Sequence, residues 1–246
     1  MHSSPGPAPS LADHLIGLHL AALPTGALLK ADDLFEEFGG LLRAPDDEGT
    51  VMRTEVEDDD RRHRLRDTGR HRRDRLRACM SGANSVRAFT ALVIPVPFQT
   101  YAYQQMVAEA EAETTALPPV WWPEPEPAAM TLFLDEYVLV RPVGGHTLMA
   151  RQLQYLHHLA EQGTARVLVL PGHAPVPAPG GPLYEIERPE GTLYADEDNI
   201  AVLYRVGPHA PALRACMDRY EQAALPPDES LRRLDEATTA MAQKHV

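Results

Sequence analysis

Cysteine is almost absent from this sequence, and that alone removes several kinds of chemistry. Cys79 and Cys216 are its two cysteines, far apart along 246 residues, too few for a disulfide framework and without the paired spacing of a zinc site. Both are expected to stay reduced and structural. Long hydrophobic runs are missing too: nothing approaches the roughly 18 consecutive apolar residues that a membrane span requires. The opening MHSSPGPAPS lacks the basic-then-apolar order of a secretory signal. The expectation is a cytoplasmic protein with no membrane contact. Cations are in deficit, 23 Lys and Arg against 35 Asp and Glu, for a net charge of −12. A surface of that sign repels phosphates, so any contact with nucleic acid has to be local. Lys30 and Lys244 are the only lysines and proline reaches 23, biases that read as the codon preference of a GC-rich genome.

What is present is a chain with 44% hydrophobic residues, long enough for one large core or two modest ones. Leu11, Leu15, Ile16, Leu18 and Leu20 recur near helical spacing, and Pro24-Thr25-Gly26 turns the chain into a second helical run through Leu34, Phe35 and Phe38 that Gly39-Gly40 stops. From Arg43 to Asp60 the sequence is polar and acidic and reads as a linker. Residues 1–60 are therefore expected to form a helical N-terminal segment with its linker, and residues 61–246 the main domain. Nine arginines between Arg61 and Arg77 follow the acidic run directly. The plainest reading of that juxtaposition is a solvated helix, or a hairpin of helices, on which opposite charges neutralise each other; contact with nucleic acid is the alternative. Leu117–Pro127, rich in proline, is an extended and stiff connection.

Beyond that connection the pattern becomes regular. An apolar run at Thr131–Leu134, a Gly144-Gly145 turn, a helix across Leu148, Met149, Leu153 and Leu156, and the run Arg166–Leu170 make a β-α-β unit. A Gly/Pro loop over 171–182 leads to strand candidates at Leu183–Glu187, Thr192–Ala195 and Ile200–Tyr204. Pro211–Ala224 and Ser230–Met241 are amphipathic helices, the second entered through Pro226-Pro227-Asp228-Glu229. The fold class implied is α/β (α+β), a mixed and partly antiparallel sheet flanked by helices, with a helical N-terminal segment.

Four landmarks stand in a particular order between Leu76 and Met241. Val86-Arg87-Ala88-Phe89 leads to Ile94-Pro95-Val96-Pro97-Phe98-Gln99-Thr100; Leu134-Asp135-Glu136 runs through Arg141-Pro142-Val143-Gly144-Gly145 to Met149 and Gln152-Leu153; Val167–Pro171 is followed by Gly172-His173; and Ala224–Ser230 comes last. In that order they resemble the C-terminal domain, of unassigned chemistry, of the actinobacterial antitoxin-like (WhiJ-like) helix-turn-helix regulators. The resemblance implies a helix over the first landmark, an upstream DNA-binding module, and pairing with a small BldB-like protein. Departures are equally specific. Where relatives carry an arginine-rich helix between the first two landmarks, this chain has Glu109, Glu111 and Glu113 and no arginine between Arg87 and Arg141. Met80 stands where the family shows a glutamate, and Val96 replaces the glycine of a Pro-Gly turn. Residues Leu11–Gly39 read as a remnant of the DNA-binding module without its recognition helix, so specific DNA binding by this chain alone is not expected.

Each candidate for chemistry has a plainer counterpart. Asp32 and Glu36 share a helical face and suit Mg²⁺ in type, but an ordinary acidic helix face explains them without a partner motif. His157 and His158 are adjacent and face different sides of a helix, and His146 has no companion at ligand spacing, so no metal site and no cofactor is implied. His173 sits just after a predicted central strand, where α/β sheets place ligands. Asp135-Glu136 and Arg141 suggest a structural ion pair holding the Gly144-Gly145 turn, with Glu136 as general base the sharper alternative. Tyr184, Tyr194 and Tyr204, on successive strands with Glu185, Glu187 and Glu197, either line a cleft for an amine-bearing or polyketide-like molecule or pack within the sheet.

The function expected first is a non-enzymatic regulatory or interaction protein, a sensor domain that binds a small partner protein or a small ligand. Its sheet edge and the loop Gly172–Pro182 would form the partner interface, and Phe98, Gln99, Thr100, Arg141 and Tyr184 would contact ligand or partner. The alternative is an enzyme of specialised metabolism, performing an acid-base cyclisation or isomerisation with Glu136, His173 and Tyr194 as catalytic groups.

Overall fold

A computed structural model of the chain describes residues 52–53, 64–68, 72–110, 126–177, 179, 181–198 and 200–244. The helices expected within 11–39, the pair Asp32 and Glu36, most of the acidic linker and nearly all of the proline-rich connection lie outside the described residues.

The architecture is the mixed α/β one expected, built on one sheet. Its strands are β1 (Met52–Arg53), β2 (Arg64–Asp67), β3 (Ser85–Thr90), β4 (Met130–Asp135), β5 (Arg166–Leu170), β6 (Leu183–Arg188), β7 (Gly191–Glu197) and β8 (Val202–Arg205), in the order β1-β2-β8-β7-β6-β3-β4-β5. β3, β4 and β5 are mutually parallel, and every other pairing is antiparallel. The helices are α1 (Arg72–Met80), α2 (Tyr101–Ala110), α3 (Glu136–Val140), α4 (His146–Glu161), α5 (Ala210–Ala223) and α6 (Pro227–Gln243), with short 3₁₀ turns at Val96–Phe98 and Gly207–His209. None of these helices is long and apolar enough to cross a membrane.

Strand β4, MTLFLD, is apolar on both faces because both faces are covered. On one face Val86, Ala88, Leu132, Leu134, Val167, Val169, Ile186 and Tyr204 form the main core with Met149, Leu153 and Leu156 of α4 and Leu234 and Met241 of α6. On the other, Phe89, Phe133, Leu168, Leu170 and Leu183 form a smaller core with Met217 and Tyr220 of α5. Tyr220 stacks on Phe89 with ring centroids 4.0 Å apart. Apolar positions three and four apart in α4 present one stripe to the sheet, as its helical pattern predicts. Pro227 at the first turn of α6, followed by Asp228 and Glu229, starts that helix with the fixed φ and negative charge its N-terminus favours. The exposed side of edge strand β5 is occupied: Val169 donates its N–H to Ser230 Oγ at 3.0 Å, and its carbonyl accepts from Leu225 at 2.8 Å. Gly144 turns between α3 and α4 at φ 69, and a Cβ there would stand 2.9 Å from Met106 Cγ, so both backbone and packing call for glycine.

Three expectations are corrected. The segment Val86–Phe89 is strand β3 rather than helix; alternation sends Val86 and Ala88 to one core and Arg87 and Phe89 to the other face, a period of two that a helix cannot satisfy. Within the arginine-rich run, β2 and α1 are core elements and no solvated helix pair. Arg75 of α1 is fully buried and makes a bidentate pair with buried Asp67 of β2, both contacts at 2.6 Å. The ion pair expected between Asp135 or Glu136 and Arg141 is not formed: Asp135 caps α3 by accepting the Tyr137 N–H at 2.9 Å, and Glu136 pairs with Arg233 of α6 at 2.7 Å.

The buried Asp67–Arg75 pair generates a stability prediction. Removing one partner strands a charge in the core, so Arg75→Met should lower the unfolding free energy by about 3–5 kcal/mol, whereas the double substitution Asp67→Leu with Arg75→Met should recover most of that loss. Urea titrations of both variants by circular dichroism measure the difference.

Candidate functional site

Parallel strands β3, β4 and β5 all end toward one edge of the molecule, and the loops leaving them form a wall there. After β3 the chain runs through Leu92–Phe98, a segment kept from helix by Pro95 and Pro97 and closed by a 3₁₀ turn. Gln152, fully buried on α4, holds this segment from behind: its Nε2 donates to Phe98 O at 2.8 Å and its Oε1 accepts from Thr100 N at 2.7 Å. Thr100 then starts α2, its Oγ1 accepting from Tyr103 N at 3.3 Å. Tyr103 packs beneath the loop and its hydroxyl accepts from Ile94 N at 3.4 Å.

Between this wall and the antiparallel half of the sheet lies a cleft of about 470 Å³. Val93, Ile94, Pro95, Val96 and Val107 supply its apolar side, and Gly181, Pro182, Glu197, Asp198 and Ile200 its other side at the start of β6 and the end of β7. Arg73 of α1 and Arg141, which ends α3, border it as well. The location agrees with the general placement of ligand sites outside the carboxyl ends of parallel strands. Gly181 is required by close approach, since a Cβ there would meet the Glu197 carbonyl oxygen at 1.8 Å.

The polar groups around the cleft are unequally satisfied. Glu197, almost buried, accepts from Arg73 Nε at 2.7 Å through Oε1 and from the Tyr184 hydroxyl at 2.8 Å through Oε2. Asp198 Oδ1 accepts from the N–H groups of Ile200 and Ala201 at 2.7 and 2.6 Å, fixing the β7–β8 turn. Gln99 Nε2 donates to Ile94 O at 2.6 Å, which leaves its buried Oε1 without a partner among the described residues. Arg141 is exposed and forms no ion pair among the described residues.

Of the residues expected to contact ligand or partner, the structure brings Gln99 and Arg141 to the cleft and sets Tyr184 one step beneath it through Glu197. Phe98 is core, and Thr100 faces Gln152. The suggested catalytic residues do not converge. Glu136 is spent on Arg233 and on the Gly172 N–H at 2.9 Å; His173 is exposed beside it; Tyr194 lies three strands away on the opposite face, donating to Glu185 at 2.6 Å beneath α5. Of the two readings of the strand tyrosines, the register and their burial agree with packing within the sheet. Tyr184 faces Ala195, which faces Tyr204, whereas Tyr194 sits opposite Glu185, so the tyrosines divide between the two faces. Glu185 joins Arg87 there, with Arg87 also reaching Asp218 of α5 at 2.9 Å. The loop expected as a partner interface is fastened: Tyr220 donates to Pro177 O at 2.8 Å, and Ala174 and Val176 pack on the smaller core. Arg73, Glu197 and Asp198 escaped the sequence reading as a group; only the Tyr184–Glu197 pairing had a signal, both having been noted as strand residues. Among the described residues no cluster of three His, Cys, Asp or Glu is placed to hold a metal ion.

Burial sets the acid-base character of these groups. It pushes the Cys79 thiol from 9.0 up to about 12, against the pull of nearby Arg188, and pushes the Tyr103 hydroxyl from 10.0 up to about 12. Burial and the Glu197 carboxylate raise Tyr184 well above its ordinary value, and burial together with Cys79 does the same for Tyr204. All four are acids kept neutral by the fold, so their stabilisation is complete below about pH 9 and is lost as pH rises beyond it, where the unfolded chain ionises first. Absorbance titration at 295 nm should show Tyr103, Tyr184 and Tyr204 ionising in one cooperative step that coincides with loss of circular dichroism. Independent ionisation of these tyrosines in the folded protein would refute that.

No curated protein matches this chain. A family of domains does match, over residues 73–236, which takes in all but the first residue of α1, the strands from β3 to β8, the cleft wall and most of α6. The chain therefore belongs to the family described as Domain of unknown function (DUF5753).

Proposed function

We propose that the chain is a non-enzymatic sensor that binds a small organic ligand in the cleft between the Leu92–Gln99 wall and the end of β7. The observation that carries this reading is the cleft itself, apolar-walled and of a volume suited to a small molecule. The binding reading is favoured over catalysis because the two carboxylates bordering the cleft are engaged, Glu197 by Arg73 and Tyr184 and Asp198 by backbone N–H groups. The Tyr184 hydroxyl, held protonated by burial, serves as a donor rather than as a base.

The resemblance to antitoxin-like, WhiJ-like regulators extends the proposal: the domain is the sensor half of such a regulator and passes its liganded state to a small BldB-like partner in the cytoplasm. Autonomous specific DNA binding is not part of this function. In support, Arg75 is consumed inside the core and Arg73 is paired with Glu197, which withdraws part of the basic run from any phosphate backbone.

Native mass spectrometry of the full chain purified from its source cells tests the proposal. The expected spectrum contains a bound small-molecule mass that Val96→Trp, which fills the cleft, removes; a co-purifying protein of several kilodaltons would support the partner as well. A bare chain, with no thermal shift on adding an extract of the source cells, would refute it.

A further inference from the structure

We infer that the N-terminal segment of this chain docks, through Leu34, Phe35 and Phe38, on the apolar rim of the cleft between Leu92 and Ile200. The inference goes beyond the ligand reading and does not depend on it: the segment lies across the rim whether or not the cavity beneath holds a small molecule.

Five large apolar side chains are exposed among the described residues, Leu92, Tyr101, Tyr137, Val140 and Ile200, and all five stand at one edge of the sheet. Leu92 follows β3, Tyr101 opens α2, Tyr137 and Val140 lie on α3 directly after β4, and Ile200 sits in the turn between β7 and β8. Leu92 and Ile200, 43% and 66% exposed, border the cleft from its two sides. Apolar residues scattered singly over a surface are ordinary, whereas a set gathered on one edge beside a cavity marks a surface that another element covers.

The strand register shows where a covering element is already at hand. Met52 pairs with Asp67, Asp67 with Val202 and Val202 with Glu197, so the chain joins the sheet on the row of residues that ends at the cleft. β1 begins on that row and runs away from the edge, so the chain before Met52 approaches from the edge that holds the five side chains. Three interstrand steps put Met52 about 14 Å from Glu197, and five put it about 24 Å from the end of β3. Residues 39–51 separate Phe38 from Met52 and span up to about 43 Å when extended, well beyond both distances. Leu34, Phe35 and Phe38 have the spacing of one helical face, and a run this short is stabilised chiefly by packing such a face against a surface. The tether holds that face at a local concentration on the order of 1 mM, so a weak contact suffices to keep it in place. The earlier run Leu11–Leu20 suits the surface less well, because its longer tether costs more closure entropy and it brings no phenylalanine.

Disulfide trapping in the full-length chain tests the docking. In a Cys216→Ser background, where the remaining Cys79 is fully buried, Phe35→Cys is combined with Ile200→Cys, with Leu92→Cys or with Glu190→Cys. Glu190 is exposed in the β6–β7 turn at the opposite edge, about 25 Å from Met52, and so is also within the tether's reach. Under copper–phenanthroline oxidation the intramolecular disulfide should form about tenfold faster with Ile200→Cys and Leu92→Cys than with Glu190→Cys. Adding Leu34→Asp and Phe38→Asp should bring the two fast rates down to the Glu190→Cys level, with melting curves confirming that each variant is folded. Equal rates at the two edges, or fast rates that survive the aspartates, overturn the inference. Disulfides that join two molecules overturn it as well, since they assign the surface to a second copy. None of these outcomes touches the small-ligand reading, which is decided by the bound mass.

Discussion

β3 is hydrogen-bonded in opposite senses to its two neighbours, parallel to β4 and antiparallel to β6, and the cleft follows from that pairing. On the parallel side the chain must leave the carboxyl end of each strand and cross back, so the wall at 92–99, helix α3 and the turn to α4 all gather at one edge. On the antiparallel side the start of β6 and the end of β7 reach the same edge. A space is enclosed where the two halves of the sheet part, and Gly181 against the Glu197 carbonyl shows how closely its far side is drawn together. Had β3 paired in one sense only, those segments would lie at opposite ends of the sheet.

Charge is handled in a way that net composition conceals. The surplus of acid belongs to the chain as a whole, yet buried and half-buried arginines are paired with carboxylates inside the fold: Arg75 with Asp67, Arg73 with Glu197, Arg87 with Glu185 and Asp218. The pairs of Arg73 and Arg87 join elements distant in sequence. Asp67 and Arg75 bind β2 to α1, and Arg87 ties β3 to α5 across the smaller core. Arg188 works alongside them by donating to the carbonyls of Cys79 and Ser81 at 3.0 and 2.7 Å, which satisfies the C-terminal end of α1. Buried pairs of this kind are costly to desolvate and costlier to break, so they restrict which arrangement the chain can adopt more than they add to its stability. Against this background Arg141, exposed and unpaired among the described residues, differs from the interior arginines.

The elements most legible in the sequence were those with a clear period. The run Arg166–Leu170 is a strand with those same bounds, the stripe at Met149, Leu153 and Leu156 is the buried side of α4, and the entry through Pro226-Pro227-Asp228-Glu229 opens α6. Val86–Phe89 was misread because four residues with one arginine carry too little period to choose between helix and strand, and the family landmark weighted the choice toward helix. The arginine-rich run was misread for a related reason: charge normally marks solvent, and only the partner Asp67, eight residues away, explains why Arg75 is inside. Gln99 and Arg141 were within reach as members of the landmarks, whereas Arg73 and Asp198 bear no local mark of the cleft they border.

The sequence by itself determined which stretches have helical or strand character, where the chain turns, and that the fold is mixed α/β, because periodicity, proline and glycine act over a few residues at a time. Only the tertiary structure decided which face each strand residue occupies, which carboxylate answers which arginine, and which residues share the cleft. Those outcomes depend on pairing partner and register, and a shift of one residue in register would exchange the faces of Tyr184 and Glu185, with nothing in either residue's immediate neighbours to record the difference.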